Sequence, residues 1–160
     1  MRITTLLRRL LAVTALYVED FVFTLDGKLA VQVRPRWRLS RCGQCCRKAP
    51  RYDRRPLRRW RHLPCGRTSV ELVYEPWRVD CRRCGVRIEQ VPWAARASRF
   101  TYEFEELTAY YAQVTDKTKV KRLLDISWQT VGSIVERVVA RRLDPGRLLC
   151  LRRIGIDEFS

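Results

Sequence analysis

The chain has 160 residues, 46% of them hydrophobic, with 33 Lys/Arg against 17 Asp/Glu, a formal charge of +16 and a pI near 10.4. That composition excludes a disordered polypeptide, which carries too little apolar surface to fold, and no run approaches the roughly 18 apolar residues of a membrane span. So large a positive excess calls for a polyanionic partner, nucleic acid ahead of acidic lipid.

The charge is concentrated. Residues 34–99 hold 19 Lys/Arg against 5 Asp/Glu, whereas residues 100–143 hold 7 against 6. Arginine outnumbers lysine 28 to 5, which suits bidentate phosphate contacts and follows equally from the codon usage of a GC-rich genome. At the N-terminus, Arg8-Arg9 before the apolar run 10–18 has the outline of a secretory signal. The run is short, holds Thr14, ends on Glu19-Asp20 and lacks a small-residue cleavage site, so a short amphipathic helix fits better. The chain is therefore expected in the cytoplasm, its seven cysteines thiols or metal ligands and not disulfides.

Two β-prone runs follow, residues 17–25 and 28–34, joined through Asp26-Gly27, a tight-hairpin signal. Further strands are expected over residues 57–63 and 69–74, with a turn around Pro64 and Gly66. From Thr101, a cap, the period becomes helical: Phe104, Leu107, Tyr111 and Val114 form one stripe. A second helix spans about residues 116–124, with Val120, Leu123 and Leu124 inward. The third starts after Ser127 as N-cap, buries Trp128, Val131, Ile134, Val135 and Val138, and ends at Asp144-Pro145-Gly146.

Cys42-Gly-Gln-Cys45 and Cys81-Arg-Arg-Cys84 are paired CxxC motifs with 35 residues between them, room for strands that bring one pair back to the other. Two residues between cysteines let each pair curl around one ion, and four thiolates complete the tetrahedral sphere Zn²⁺ prefers. Such a site is structural, with no open position for water. Gly85 follows the second pair, suiting a tight turn; Cys46 stands at the equivalent place in the first, and whether Cys46 replaces Cys45 as ligand stays open. Cys65 and Cys150 read as core thiols, and His62, the single histidine, as structural. Arginines crowd Trp60 in "RYDRRPLRRWRHL"; Arg58 and Arg59 on a strand make a phosphate-gripping surface or a merely solvated face.

The last two helices read as a helix-turn-helix. With the apolar side inward, Gln129, Thr130, Ser133 and Arg137 face outward, side chains able to bond base edges, and Lys119 and Lys121 lie near the backbone of double-stranded DNA.

The order "RHLPCG", "CRRCGVRIEQVPWA", "SRFTYEFEELTAYYA", "KVKRLLDISWQTVGSIVERVV" and "IGIDEFS" resembles the N-terminal part of bacterial insertion-sequence transposases of the ISL-three family. The resemblance is good over residues 42–160 and loose before; Cys46 stands where the family has glycine, and the family continues into a complete catalytic domain. It implies that Asp157 is the first of three acids (DDE) that hold two divalent metals on an RNase H-like fold, with Mg²⁺ bound only in a full-length relative. The expected fold is α+β. An N-terminal helix and hairpin occupy residues 1–41, a zinc-binding, zinc-ribbon-like basic module 42–99 and the helix-turn-helix 100–146, and residues 147–160 are the isolated first strand of a truncated DDE domain. On this reading the chain binds transposon terminal repeats without cutting them, associates with no membrane, and leaves open an oligomer on DNA. A free-standing zinc and helix-turn-helix regulator without catalysis is the alternative; a zinc-stabilised RNA or protein interaction module is a third.

Overall fold

In the computed structural model, which describes residues 3–13, 15–144 and 146, α1 (Ile3–Leu10) opens the chain with Arg8 and Arg9 in its last turn, where cations meet the negative end of the helix dipole. The expected hairpin follows. Strand β1 (Leu16–Phe23) pairs antiparallel with β2 (Leu29–Pro35), with a bulge between Val18 and Asp20. The turn differs from the two-residue type that Asp-Gly suggests. Only Gly27 has positive φ there (74°), and its N–H donates to the Thr24 carbonyl at 2.9 Å, so a wider loop ends on one left-handed glycine.

Five strands come next: β3 (Arg51–Arg54), β4 (Arg58–Cys65), β5 (Thr68–Tyr74), β6 (Trp77–Cys81) and β7 (Gly85–Ile88). They divide between two sheets, one ordered β1-β2-β5-β4 and the other β3-β6-β7. Hairpin β4–β5 corresponds to the strands expected over residues 57–74, but its place is different. Strand β5 pairs in parallel with β2, Leu29 opposite Val70 and Val31 opposite Leu72, so this hairpin completes the N-terminal sheet across the boundary expected at residue 41. Burial gives the reason. Adjacent residues of a strand point to opposite faces, and both Leu29-Ala30 and Leu72-Val73 are buried pairs. Strands covered on both faces belong inside a sheet, with neighbours on either edge.

One core seals this sheet. Val31, Val33, Val70, Leu72 and Trp60 pack with Leu11 and Val13 from beyond α1 and with Val91, Trp93 and Ala94. Trp93 meets Trp60 and Tyr74 edge to face, with centroids 5.7 and 5.6 Å apart. Cys65, expected in the core, is instead exposed near the β4–β5 turn.

The chain divides into two compact units, the second beginning at Glu105. Helix α2 (Tyr102–Val114) starts in the first unit; α3 (Lys117–Leu124) and α4 (Trp128–Arg142) lie in the second. Asp116 caps α3 by accepting from Lys119 N–H at 2.9 Å, and Ser127 caps α4 by accepting from Thr130 N–H at 3.1 Å, as expected for Ser127. The buried faces shift from the expected ones. On α2, Phe104, Glu105, Thr108 and Ala109 are buried, two neighbouring i, i+4 rows, while Val114 is exposed. Leu123 and Trp128 are also exposed, because Val120 with Leu124 on α3 and Val131, Ile134 and Val138 on α4 already fill the inner faces. The architecture is α+β, strands first and helices after. No described helix is long and apolar enough to cross a membrane. The strand expected over residues 147–160, with Asp157 and Cys150, lies outside the described residues.

His62 ties three segments of the first unit together. Its Nε2 sits 3.0 Å from the Leu11 carbonyl, which can only accept, so Nε2 carries the proton and Nδ1 accepts from the Thr101 hydroxyl at 2.9 Å. Burial, the larger influence, lowers the histidine pKa from 6.5. The sign follows: the unfolded chain binds this proton more readily, so stability is present above pH 6.5 and is lost as pH falls toward the depressed folded value. Urea denaturation across that window should show a loss of at most about 1.4 kcal/mol per pH unit, one proton's worth. His62→Gln should abolish that share of the pH dependence, with wild-type behaviour in the variant counting against the assignment.

Candidate metal centre and nucleic-acid interface

Each CxxC becomes a backbone knuckle, and the two knuckles face one another. The second is the β6–β7 turn: Cys84 N–H donates to the Cys81 carbonyl at 3.1 Å, and Gly85 takes φ 69°. The first repeats the form. Cys46 N–H donates to the Cys42 carbonyl at 2.9 Å, and Cys46 itself takes φ 59°, left-handed like Gly85. A side chain there is strained, which explains why the position suits glycine. Gly43 is required for a different reason. Its N–H donates to the Ile88 carbonyl at 3.1 Å, and a Cβ on Gly43 would lie 2.5 Å from that same oxygen.

The sulfurs of Cys42, Cys45, Cys81 and Cys84 all lie within 4.8 Å of one another, Cys45 and Cys81 at 3.5 Å. Four sulfurs at such spacing can hold one metal ion. Cys46 is exposed and outside the cluster, so Cys45 keeps its place. Backbone N–H groups of Arg83 and Cys84 point at Cys81 and lower its pKa to about 7, whereas burial, with Cys45 and Cys42 close by, pushes Cys84 up to about 12. Cys81 thus ionises ahead of Cys84, whose thiol resists until a cation joins it. Among the described residues no other cluster is arranged to take a metal.

Around this centre the charges are not where the arginine run suggested. Arg58 is half-buried over the Trp60 ring at 4.8 Å and donates to the Ser98 carbonyl at 3.2 Å, while Arg59 pairs with Glu71 at 3.0 Å. The knuckles, in contrast, carry Arg47, Lys48, Arg82 and Arg83, all exposed and forming no ion pair among the described residues. Their signal lay in plain view, as cations inside or beside each CxxC.

In the helical unit the turn between α3 and α4 is three residues, with Asp125 left-handed at φ 48° and its N–H on the Lys121 carbonyl. Gln129 and Ser133 are exposed on α4, and Lys119 and Lys121 on α3, Lys119 pairing with Asp116 at 3.2 Å. Thr130 is half-buried, its Oγ1 2.8 Å from the Ser127 hydroxyl. Arg137 serves otherwise. Glu105 is fully buried, and Arg137 at 2.8 Å with Arg141 at 3.2 Å neutralises it. A buried carboxylate stripped of such partners is costly, so the arginine is committed to the fold. Trp128, expected inward, is 51% exposed at the first position of α4, with the Lys117 ammonium 4.6 Å above its ring.

A four-cysteine β module followed by a capped helix–turn–helix pair defines the class: a chain with a zinc-ribbon-like module and a helix-turn-helix. The family model described as the helix-turn-helix domain of transposase family ISL3 matches residues 89–139. The whole chain is 43% identical, over 171 aligned residues, to the transposase for insertion sequence element IS1557 from two strains of Mycobacterium tuberculosis, CDC 1551 / Oshkosh and H37Rv. It spans 38% of the length of these relatives. No solved structure matches. Residues 89–139 are thus similar to the helix-turn-helix domain of transposase family ISL3, within a chain that aligns over its whole length with these relatives.

The strain at Cys46 is testable. Cys46→Gly should stabilise the metal-loaded protein by about 1 kcal/mol in chemical denaturation, because it removes the left-handed penalty without touching a sulfur of the cluster. A destabilised variant, or one with reduced metal content, would assign Cys46 a ligand or packing role instead.

Proposed function

We infer that this chain is a DNA-binding region of a transposase that recognises insertion-sequence ends, with one structural Zn²⁺ on Cys42, Cys45, Cys81 and Cys84. The observation that carries the reading is the capped α3–α4 pair inside the matched helix-turn-helix, which leaves a polar edge of α4 exposed. Gln129 and Ser133 are assigned to base edges, with Thr130 and the exposed Trp128 beside them; an indole there suits a deoxyribose or a thymine methyl. Lys119, Lys121 and the knuckle cations Arg47, Lys48, Arg82 and Arg83 are assigned to phosphates, with Arg58 and Arg59 in supporting places. Zinc, when bound, closes the sphere of four thiolates and fixes the knuckles; it takes no part in chemistry on a substrate.

For zinc, elemental analysis of protein purified without added metal should give one equivalent per chain. Replacing Cys81 and Cys84 together by serine should remove it; full retention would defeat the assignment.

For DNA, Gln129→Ala and Ser133→Ala should each reduce discrimination between the terminal repeat and random duplex by about 1–3 kcal/mol. Neutralising the four knuckle cations should weaken all duplexes alike, lowering the slope of log K against log salt by about 0.9 per lost phosphate contact. Arg137→Ala should act on stability rather than discrimination. Equal weakening for every sequence from the Gln129 and Ser133 variants would exclude α4 as the reading element.

A further inference from the structure

A groove of about 660 Å³ opens within the first unit. Strand β7 lines it through Val86 and Ile88, which share a face because alternate residues of a strand do, and Arg78 on β6 stands opposite Ile88. The segment after β7 contributes small side chains, among them Ala95 and Ala97. That segment is held in place. Trp93 and Ala94 belong to the core of the larger sheet, and Ser98 donates its N–H to the Ala95 carbonyl at 3.1 Å and its hydroxyl to the Phe100 carbonyl at 3.1 Å. The groove is therefore preformed, and its volume lies in the range of about 300–1,000 Å³ common for ligand sites. Val86 and Ile88 remain 37% and 41% exposed, aliphatic surface left open in a concavity.

The charge around it is one-sided. Arg58 from β4, Arg78 from β6, Arg87 from β7 and Arg96 from the following segment line the groove, against one carboxylate. That carboxylate, Glu89, is 4% exposed and is held by the Tyr74 hydroxyl at 2.7 Å and the Trp77 N–H at 2.8 Å. Arg78 is paired with Asp53. The other three form no ion pair among the described residues: Arg58 donates to the Ser98 carbonyl at 3.2 Å, Arg87 to the Gln44 side-chain oxygen at 3.2 Å, and Arg96 is exposed. Guanidinium groups without anions, beside open aliphatic side chains, call for carboxylates next to apolar residues. Nucleic acid fits less well. Single strands stack their bases on exposed rings, whereas the rings at this groove, Trp60 and Tyr102, are buried and half-buried. A duplex offers its phosphates on a convex surface, and Val86 and Ile88 have nothing to give them.

We propose that this groove docks an acidic, aliphatic segment of a partner protein, its apolar side chains against Val86 and Ile88 and its carboxylates toward Arg58, Arg87 and Arg96. Burial of the aliphatic contacts supplies the attraction, and the arginines select an acidic segment over a basic or neutral one. The groove shares only Arg58 with the residues assigned to DNA, so the contact is separate from the α4 reading.

The test is fluorescence anisotropy of a labelled hexapeptide, two leucines between pairs of glutamates, with the metal-loaded chain at about 0.15 M salt, where surface charges are screened beyond about 8 Å. Hexaglutamate and a peptide with glutamine in place of every glutamate are the controls. The acidic leucine peptide should bind saturably, at least about tenfold more tightly than either control, as burial of two leucines allows. Ile88→Ser should weaken it severalfold, and so should Arg87→Gln combined with Arg96→Gln. Val22→Ser, at an exposed apolar position outside the groove, should leave it unchanged, as should Gln129→Ala, which tests the helix reading. Equal affinity for hexaglutamate means charge attraction only and overturns the proposal. So does the absence of saturable peptide binding, or wild-type affinity in Ile88→Ser. Tighter binding of hexathymidylate, with the same loss in Ile88→Ser, would make the groove a nucleic-acid site and overturn it as well.

Discussion

The sulfur cluster is the constraint on which the cysteine sheet depends, because little else is available to hold β3, β6 and β7 together. The buried core there is Cys42, Ala49, Val79 and Cys81, with Cys45, Trp77 and Cys84 packed against it. Four of those seven residues are the cluster itself. The neighbouring sheet, by contrast, has two fully buried tryptophans and a continuous set of valines and leucines. An ion that joins both knuckles contributes its binding energy to the folding of everything they position. That includes Val86 and Ile88 on β7, and with them one wall of the aliphatic groove.

The helical unit uses a different device. Its buried carboxylate, Glu105, lies on α2, and two guanidinium groups one turn apart on α4 close over it. The capped turn fixes where α4 begins, and the ion pairs fix how its later turns lie against α2. The exposed edge at Gln129 and Ser133 is thus oriented from both ends. Apolar burial through Val120, Leu124, Val131, Ile134 and Val138 provides the attraction, which is not directional; caps and ion pairs supply the register.

What was legible in the sequence was local. The first hairpin, both CxxC knuckles, the Ser127 cap and the three-residue turn each depend on residues within a few positions of one another. Strands β6 and β7 were not anticipated, although Trp77, Val79 and Cys81 alternate with Arg78 and Asp80 and lead into a knuckle that must reverse the chain. The parallel β2–β5 ladder was out of reach, since it joins residues 41 positions apart, such as Leu29 and Val70, through pairing that no local pattern specifies. Arg137 shows the other limit. An arginine on an outward-facing helical position reads as a surface group until a buried Glu105 is known to lie beneath it. Trp128 failed in reverse, an aromatic assigned to the interior because aromatics usually go there.

The parallel ladder also sets a schedule for the nascent chain. Strand β2 is finished at Pro35, but its second edge waits for β5, which ends at Tyr74. At about 5–20 residues per second, synthesis leaves that alternating apolar edge uncovered for some ~2–8 s, long compared with hairpin formation in microseconds. Within this interval the first CxxC is made, and the second is not. The opening hairpin is then an unprotected template for strand pairing, and the bulge between Val18 and Asp20 disrupts its outer strand, which stays an edge of the finished sheet.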